Sequence, residues 1–347
     1  MNSIIINKRM ISAGNPAYII AEMSANHNKN FDKAVKIIEE AKKAGADAVK
    51  LQTYTPDTIT MDSDNECFKI KDTIWKGKTL YQLYEEAYTP WEWQPKLKKI
   101  ADDLNMDLFS SPFDASAVDF LEQMDVPAYK IASFELVDLP LLKKVAATGK
   151  PVIMSTGMAT LDEIKEAVDT LRGNNCTELA LLKCTSAYPA PPEEANLRTI
   201  SHLSETFNVP AGLSDHTLGS TVAIAAVALG ACIIEKHFCL NRKDSGPDAS
   251  FSMEPHEFKQ MVTDIRTAEK AIGQISYELT ENQEKSKAFR RSLFAVENIK
   301  EGEKLTDQNI RSIRPGNGLP PKYMEAVLGK EAKVNIRKGT PLSWNMV

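Results

Sequence analysis

Two histidines stand out by their settings, Ser214-Asp215-His216 and Glu235-Lys236-His237. Each closes a short apolar run that reads as a β-strand. Parallel neighbours in a sheet lie about 4.8 Å apart. Two imidazoles at matched heights on such strands can both reach one cation at about 2.1 Å. Two protein ligands leave room for water and substrate, which suits a Lewis acid. The alternative is a pair of hydrogen-bonded core histidines. Asp215 is expected to orient one of the rings from behind.

Lys50 and Lys130 also fall at strand ends, together with Ser111, Ser133, Ser155, Thr156 and Ser186. Ammonium groups among hydroxyls form a phosphate cradle. Burying two lysines is costly unless an anion or a carboxylate pairs with them. Glu22 and Glu235 are the carboxylates at hand, and salt bridges to them are the structural alternative. A Schiff-base lysine, as in an aldolase acting on pyruvate, is the competing chemistry. Glu22 precedes the loop Asn26-His27-Asn28 and is a candidate base or stabiliser of positive charge. Asp248, in Ser245-Gly246-Pro247-Asp248, is either a turn aspartate or a site carboxylate.

These residues need a scaffold that gathers strand ends. Eight β-branched or apolar runs recur at 18–22, 48–52, 107–110, 128–131, 151–155, 179–184, 211–214 and 233–237. Helical patterns separate them. Residues 31–44 place Ala34, Ile37, Ile38, Ala41 and Ala44 on one face, with Asn30 as N-cap and Gly45 after the end. Thr160 to Glu163 is a capping box, and Glu254-Pro255 opens an amphipathic stretch reaching Ile272. Eight alternations predict an α/β fold, a (β/α)8 TIM barrel, with a doubly wound open sheet as runner-up. Side chains two apart on a strand share a face. That puts Lys50 with Gln52, Ser214 with His216, and Glu235 with His237 at strand ends, where barrel active sites lie.

An insertion at 53–90 carries Trp75, Tyr81, Tyr84 and Tyr88, with Trp91 and Trp93 just beyond. It reads either as a cover for a bound ligand or as a loop packed on its own aromatics. Residues 1–272 form the expected catalytic domain and 273–289 a polar linker. Residues 290–347 form a small β-rich domain, with strands expected at 292–296, 302–304, 333–335 and from Gly339. That domain is short enough to need docking on its own barrel or a partner's.

The chain has 347 residues, 42 basic and 47 acidic, for a net charge of −5. That balance argues against a nucleic-acid binder. No apolar run is long enough to span a membrane, and no secretory signal is evident. Five cysteines without a C-x-x-C pair suit reduced thiols in the cytoplasm. A non-catalytic sugar- or ice-binding protein would leave the polar strand ends unexplained.

The motifs resemble those of the sialic acid synthases. The match runs through Ala21-Glu22-Met23-Ser24-Ala25-Asn26-His27-Asn28, Lys50-Leu51-Gln52-Thr53, Phe109-Ser110-Ser111-Pro112-Phe113 and Ser155-Thr156-Gly157-Met158. It continues through Cys184-Thr185-Ser186-Ala187-Tyr188-Pro189, Gly212 to Thr217, Glu235 to Phe238, and Arg314-Pro315-Gly316-Asn317-Gly318 in what looks like an antifreeze-like (SAF) module. The resemblance implies condensation of phosphoenolpyruvate with an N-acetylated amino sugar, releasing phosphate by C–O cleavage. It implies a divalent metal, manganese first, with magnesium or cobalt as alternatives, held by His216 and His237. The metal would polarise the aldehyde and deliver the attacking water. Lys50, Lys130, Ser133, Ser155, Ser186 and Ser214 would hold phosphate and carboxylate. Glu22 would sit by the reacting carbon, and Gln52, Ser111, Tyr188 and Asp248 would line the site. A domain-swapped homodimer would bring Arg314 to the sugar's N-acetyl group. Ser186 departs from the asparagine frequent in N-acetylneuraminate enzymes, yet a hydroxyl can still contact phosphate. Ser24-Ala25 and the stretch Thr73-Ile74-Trp75-Lys76-Gly77-Lys78-Thr79-Leu80-Tyr81 look most like the branch that makes pseudaminic acid from a 2,4-diacetamido-2,4,6-trideoxy-altrose. N-acetylneuraminate, legionaminate and spore-coat sugar synthases stay as alternatives.

Overall fold

Eight strands rich in Ile, Val, Leu and Ala pair in parallel, each with its sequence neighbour, and the last pairs with the first. The computed structural model describes residues 3–71, 75–244 and 246–347. Thr73, Ile74 and Ser245, which belong to two of the motifs above, lie outside the described residues. The chain divides into two compact units, Met1–Gly273 and Gln274–Val347.

The first unit opens with an antiparallel hairpin, β1 (Ser3–Ile6) and β2 (Arg9–Ser12). The barrel follows: β3 (Tyr18–Glu22), β4 (Ala48–Thr53), β5 (Asp107–Pro112), β6 (Tyr129–Ile131), β7 (Val152–Ser155), β8 (Leu179–Cys184), β9 (Ala211–Asp215) and β10 (Ile233–His237). The closed barrel bears out the predicted TIM fold over the open sheet. Around it lie α1 (Phe31–Ala44), α2 (Pro56–Ile59) and α3 (Leu80–Ala87) within the insertion, then α4 (Gln94–Asp103), α5 (Ala115–Gln123), α6 (Leu139–Ala146), α7 (Leu161–Gly173), α8 (Arg198–Phe207), α9 (Thr221–Ala228) and α10 (Pro255–Ile272).

The local signals act as expected. Asn30 caps α1 by accepting the Lys33 N–H, and Gly45 ends it at φ 92°. The Thr160–Glu163 capping box opens α7. The apolar face of α1 buries Ile37 and Ile38 in one core shared with the strands and with Phe258, Met261 and Ile265 of α10. Burial of this apolar area is the main stabilising contribution.

Register fixes the heights of the polar strand ends. Glu22 is level with both His237 and Lys50. Gln52 is level with Ser111, and Ser214 with Glu235.

The second unit carries a short helix, α11 (Glu281–Ser286), inside the stretch expected to be linker. Its sheet pairs β11 (Ser292–Ala295) with β12 (Ile310–Ile313) over a core including Leu293, Ile299, Leu305, Val327 and Leu342. The strands expected at 302–304, 333–335 and from Gly339 are replaced by isolated bridges, such as Lys304 with Glu331 and Phe294 with Pro341. Turns at Gly302 and Gly339, both at positive φ, break those runs before a ladder extends.

Candidate active site

The C-terminal ends of the strands gather four charged groups. Lys50 Nζ lies 2.6 Å from Glu22 Oε2 and 3.4 Å from Glu235 Oε1. Lys130 Nζ donates to Ser155 Oγ at 2.6 Å and lies 3.9 Å from Glu235 Oε1. Ser214 Oγ donates to the same Glu235 oxygen at 3.1 Å. All four charged side chains are buried. The lysines therefore pair with carboxylates, one of the three expected readings.

Burial pushes the Glu22 carboxyl above its usual range, with Lys50 pulling it back only in part. Burial alone would also raise Glu235, but Lys130 and Lys50 outweigh it and hold that carboxyl low. Burial alone would lower Lys50, yet Glu22 and Glu235 overcome it and keep the ammonium charged. Lys130 is lowered by burial, with Glu235 opposing. Glu235 is thus the settled anion of the cluster, and Glu22 the carboxyl that takes up a proton most readily.

A second group surrounds Gly157. Its N–H donates to Ser133 Oγ at 3.1 Å. A Cβ there would meet Ser186 Oγ at 2.3 Å and Ser133 Oγ at 2.8 Å, so glycine is required for the two hydroxyls to crowd the backbone. Ser186 Oγ, Ser111 Oγ and Glu235 Oε2 are buried with no hydrogen-bond partner. Such atoms cost about 1–3 kcal/mol each and mark where a ligand would bind.

The histidines meet across β9 and β10. Their ring centroids are 5.4 Å apart at 56°. His216 Nδ1 lies 2.9 Å from the Thr185 carbonyl, so that nitrogen carries the proton and Nε2 is free to ligate. Cys184 Sγ lies farther off, 3.8 Å from the same nitrogen. His237 Nδ1 is buried and unpartnered. Burial first, with the neighbouring ammonium groups of Lys50 and Lys236, holds His237 neutral, the state a metal needs. The rings thus fit one divalent cation with open positions. Among the described residues no third His, Cys, Asp or Glu completes such a site. Tyr188 packs on both rings, 4.4 Å from His216 and 6.4 Å from His237.

Asp215 does not orient a histidine. Its carboxylate takes Lys236 Nζ at 2.6 Å and the Thr217 N–H at 2.9 Å, on the outer face of the barrel wall. The carbonyl of Thr185 does the orienting instead. Asp248 accepts the Ser24 hydroxyl, and Gln52 Nε2 donates to Glu22 Oε1 at 3.2 Å. The insertion reaches over: Trp75 Nε1 donates to the Pro247 carbonyl at 3.1 Å, and its ring lies 6.0 Å from Tyr188. Arg314 lies in the second unit, exposed on the turn after β12.

Residues 37–277 match the NeuB family, and residues 290–347 match the SAF domain. The chain belongs to the NeuB family. Pseudaminic acid synthase of Helicobacter pylori is 45% identical over 329 residues, covering 94% of this chain and 97% of that protein. N,N'-diacetyllegionaminic acid synthase of Legionella pneumophila is 35% identical, covering 95% and 94%. The crystal structure of N-acetylneuraminic acid synthetase from Leptospira borgpetersenii, in complex with citrate, aligns with a TM-score of 0.73 and 31% identity, covering 82% of this chain and 94% of that one. The resemblance read from the motifs is thereby borne out.

Glu135 was not among the expected site residues, and Glu235 was expected at the strand ends and as a partner for the lysines, without a role of its own. Glu135 follows β6 in a 3-10 turn, Ser133–Val137. Its Oε2 is buried and unpartnered, and burial pushes its carboxyl up to about 7. No periodic pattern marks a residue in such a turn; the only signal is its nearness to Ser133.

Proposed function

We propose that this chain condenses phosphoenolpyruvate with 2,4-diacetamido-2,4,6-trideoxy-altrose, giving pseudaminic acid and phosphate. One observation carries the choice of sugar: likeness to the Helicobacter pylori pseudaminic acid synthase along nearly the whole of both chains. The insertion's aromatic wall suits a sugar with a C6 methyl and a second acetamido group.

The residues divide the work. Lys50, Lys130, Ser133, Ser155, Ser186 and Ser214 supply charge-assisted and hydroxyl donors to the phosphate and carboxylate. Gln52, Ser111, Tyr188 and Asp248 line the sugar's side. C3 of the enol phosphate bonds to the aldehyde carbon, and the aldehyde oxygen takes a proton. Water adds at C2, and the C2–O bond to phosphate breaks. Glu22, ionised, steadies positive charge at C2 and accepts the proton of the attacking water. A divalent cation held by His216 and His237, manganese first with magnesium or cobalt as alternatives, supplies Lewis acidity to the aldehyde oxygen when bound.

The active assembly in this reading is a homodimer in which the second unit of one copy serves the other's barrel, with Arg314 at the N-acetyl group. Opposite charge supports it. Met1–Gly273 holds 29 basic against 38 acidic residues, and Gln274–Val347 holds 13 against 9. Ile275 and Tyr277, each 95% exposed, leave apolar surface to cover. A cytoplasmic site of action fits five free cysteines. Among the described residues no helix is long and apolar enough to cross a membrane.

Mass spectrometry of products from phosphoenolpyruvate and a panel of amino sugars tests the reading. The diacetamido altrose should give the nine-carbon keto acid fastest, and chelation should stop it. Preference for N-acetylmannosamine would overturn the sugar assignment. Turnover surviving complete metal removal would overturn the role of the histidines.

A further inference from the structure

Ser24 stands two residues beyond Glu22 in the left-handed region, at φ 45°. A non-glycine residue there carries strain of about 1 kcal/mol or more. Glycine would hold the same backbone without it. The side chain is therefore what the strain retains, and its contacts explain why. Ser24 is buried. Its hydroxyl donates to Asp248 Oδ2 and accepts Gln52 Nε2 at 3.0 Å. Its backbone N–H donates to Glu22 Oε1 at 2.9 Å. One hydroxyl has one proton and two acceptor positions, so the two side-chain contacts assign its orientation fully. It joins the end of β3, the end of β4 and the loop after β10.

We propose that Ser24 is a specificity-determining positioning residue: its hydroxyl aims the Asp248 carboxylate and the Gln52 amide, and so sets how tightly the acetamido sugar is held. Asp248 Oδ1 and Gln52 Oε1 are left for the hydroxyl and amide N–H donors of such a sugar. Lys130, Ser155 and the serines around Gly157 make no contact with Ser24 among the described hydrogen bonds, and Lys50 meets it only through Glu22, which Ser24 holds by a backbone N–H that both variants below keep. The effect therefore falls on the sugar and spares phosphoenolpyruvate. This inference rests on the function proposed above.

The test compares Ser24→Ala, which keeps the Cβ and loses the hydroxyl, with Ser24→Gly, which also relieves the backbone. Steady-state kinetics with phosphoenolpyruvate and the diacetamido altrose, in the full-length manganese-loaded protein, give both KM values; thermal melting gives stability. Loss of a hydrogen bond to a charged group should raise the sugar KM about tenfold in both variants. The phosphoenolpyruvate KM should stay within about twofold, and Ser24→Gly should melt no lower than Ser24→Ala, since both lose the hydroxyl and only glycine relieves the backbone. A sugar KM unmoved in both variants, or both KM values rising together, would overturn the inference alone. A wild-type protein that forms no keto acid from these substrates would overturn the functional reading and the inference with it.

Discussion

His27 offers a quantitative check on how the loop after β3 is held. The ring is fully buried. Its Nδ1 accepts the Lys29 N–H at 3.1 Å, so the proton sits on Nε2, 3.0 Å from Thr89 Oγ1. Protonating Nδ1 would set two N–H groups against each other. Burial first, then the charges of Lys29 and Lys33, lower this histidine from 6.5 to about 4. Above pH 6.5 the folded and unfolded chains both carry a neutral ring, and its stabilising contribution is intact. Between pH 6.5 and 4 the unfolded chain takes a proton that the folded chain refuses, and stability falls as pH falls. The full loss is about 3 kcal/mol, of which about 2 kcal/mol has gone by pH 5. His27→Gln keeps an amide donor for Thr89 and cannot titrate. Urea unfolding followed by tryptophan fluorescence at pH 7 and pH 5 gives the two stabilities; Trp93 lies edge-on to the ring at 5.7 Å and reports locally. The variant is expected to be less stable at pH 7, and wild type should lose about 2 kcal/mol of that advantage by pH 5. Other titrating groups cancel in the difference. Parallel stability curves for the two proteins would refute the argument.

Two further outcomes follow from the site. Gly157→Ala should raise the phosphoenolpyruvate KM at least about tenfold with the fold intact by circular dichroism, since its Cβ must displace Ser186 or Ser133; an unchanged KM would remove those hydroxyls from the anion site. Arg314→Ala should weaken sugar binding more than phosphoenolpyruvate binding in steady-state kinetics, whereas equal loss for both would point to a general defect of the second unit.

The barrel was legible because eight apolar runs alternate with helical patterns, and its site because those runs end in polar residues at alternate positions, a period that survives folding. The same period explains the error at Asp215. Ser214 and His216 share the lumen face, so the residue between them must face the helices, where Lys236 meets it. Sequence adjacency to a histidine was the wrong guide; parity was the right one. The β1–β2 hairpin was not among the expected elements: Asn7 and Lys8 both take positive φ in its two-residue turn, and Asn-Lys lacks the glycine that marks such a turn in a sequence. Glu135 had no periodic signal, since a 3-10 turn has neither strand nor helix period. In the second unit, short runs punctuated by glycine read as strands, but too few backbone partners lay opposite to form ladders.

The outer face of β9 and β10 accounts for the steadiness of the inner one. Lys236 and Asp215 are each about 1% exposed and 2.6 Å apart, at paired positions on the two strands. Desolvating both charges is expensive, and an apolar pair of similar volume would often be as stable. The ion pair adds direction, because Lys236 also donates to the Thr217 carbonyl at 2.6 Å, and Asp215 also holds the Thr217 N–H. His216 lies between Asp215 and Thr217, so both of its neighbours in the chain are tied to the strand that carries His237. Gly212 lets the same two strands close up: a Cβ there would lie 2.3 Å from the Ile233 carbonyl oxygen. The wall behind the imidazoles is thus pinned at the foot by a glycine and at the top by a buried charge pair, which leaves the rings little freedom to drift apart.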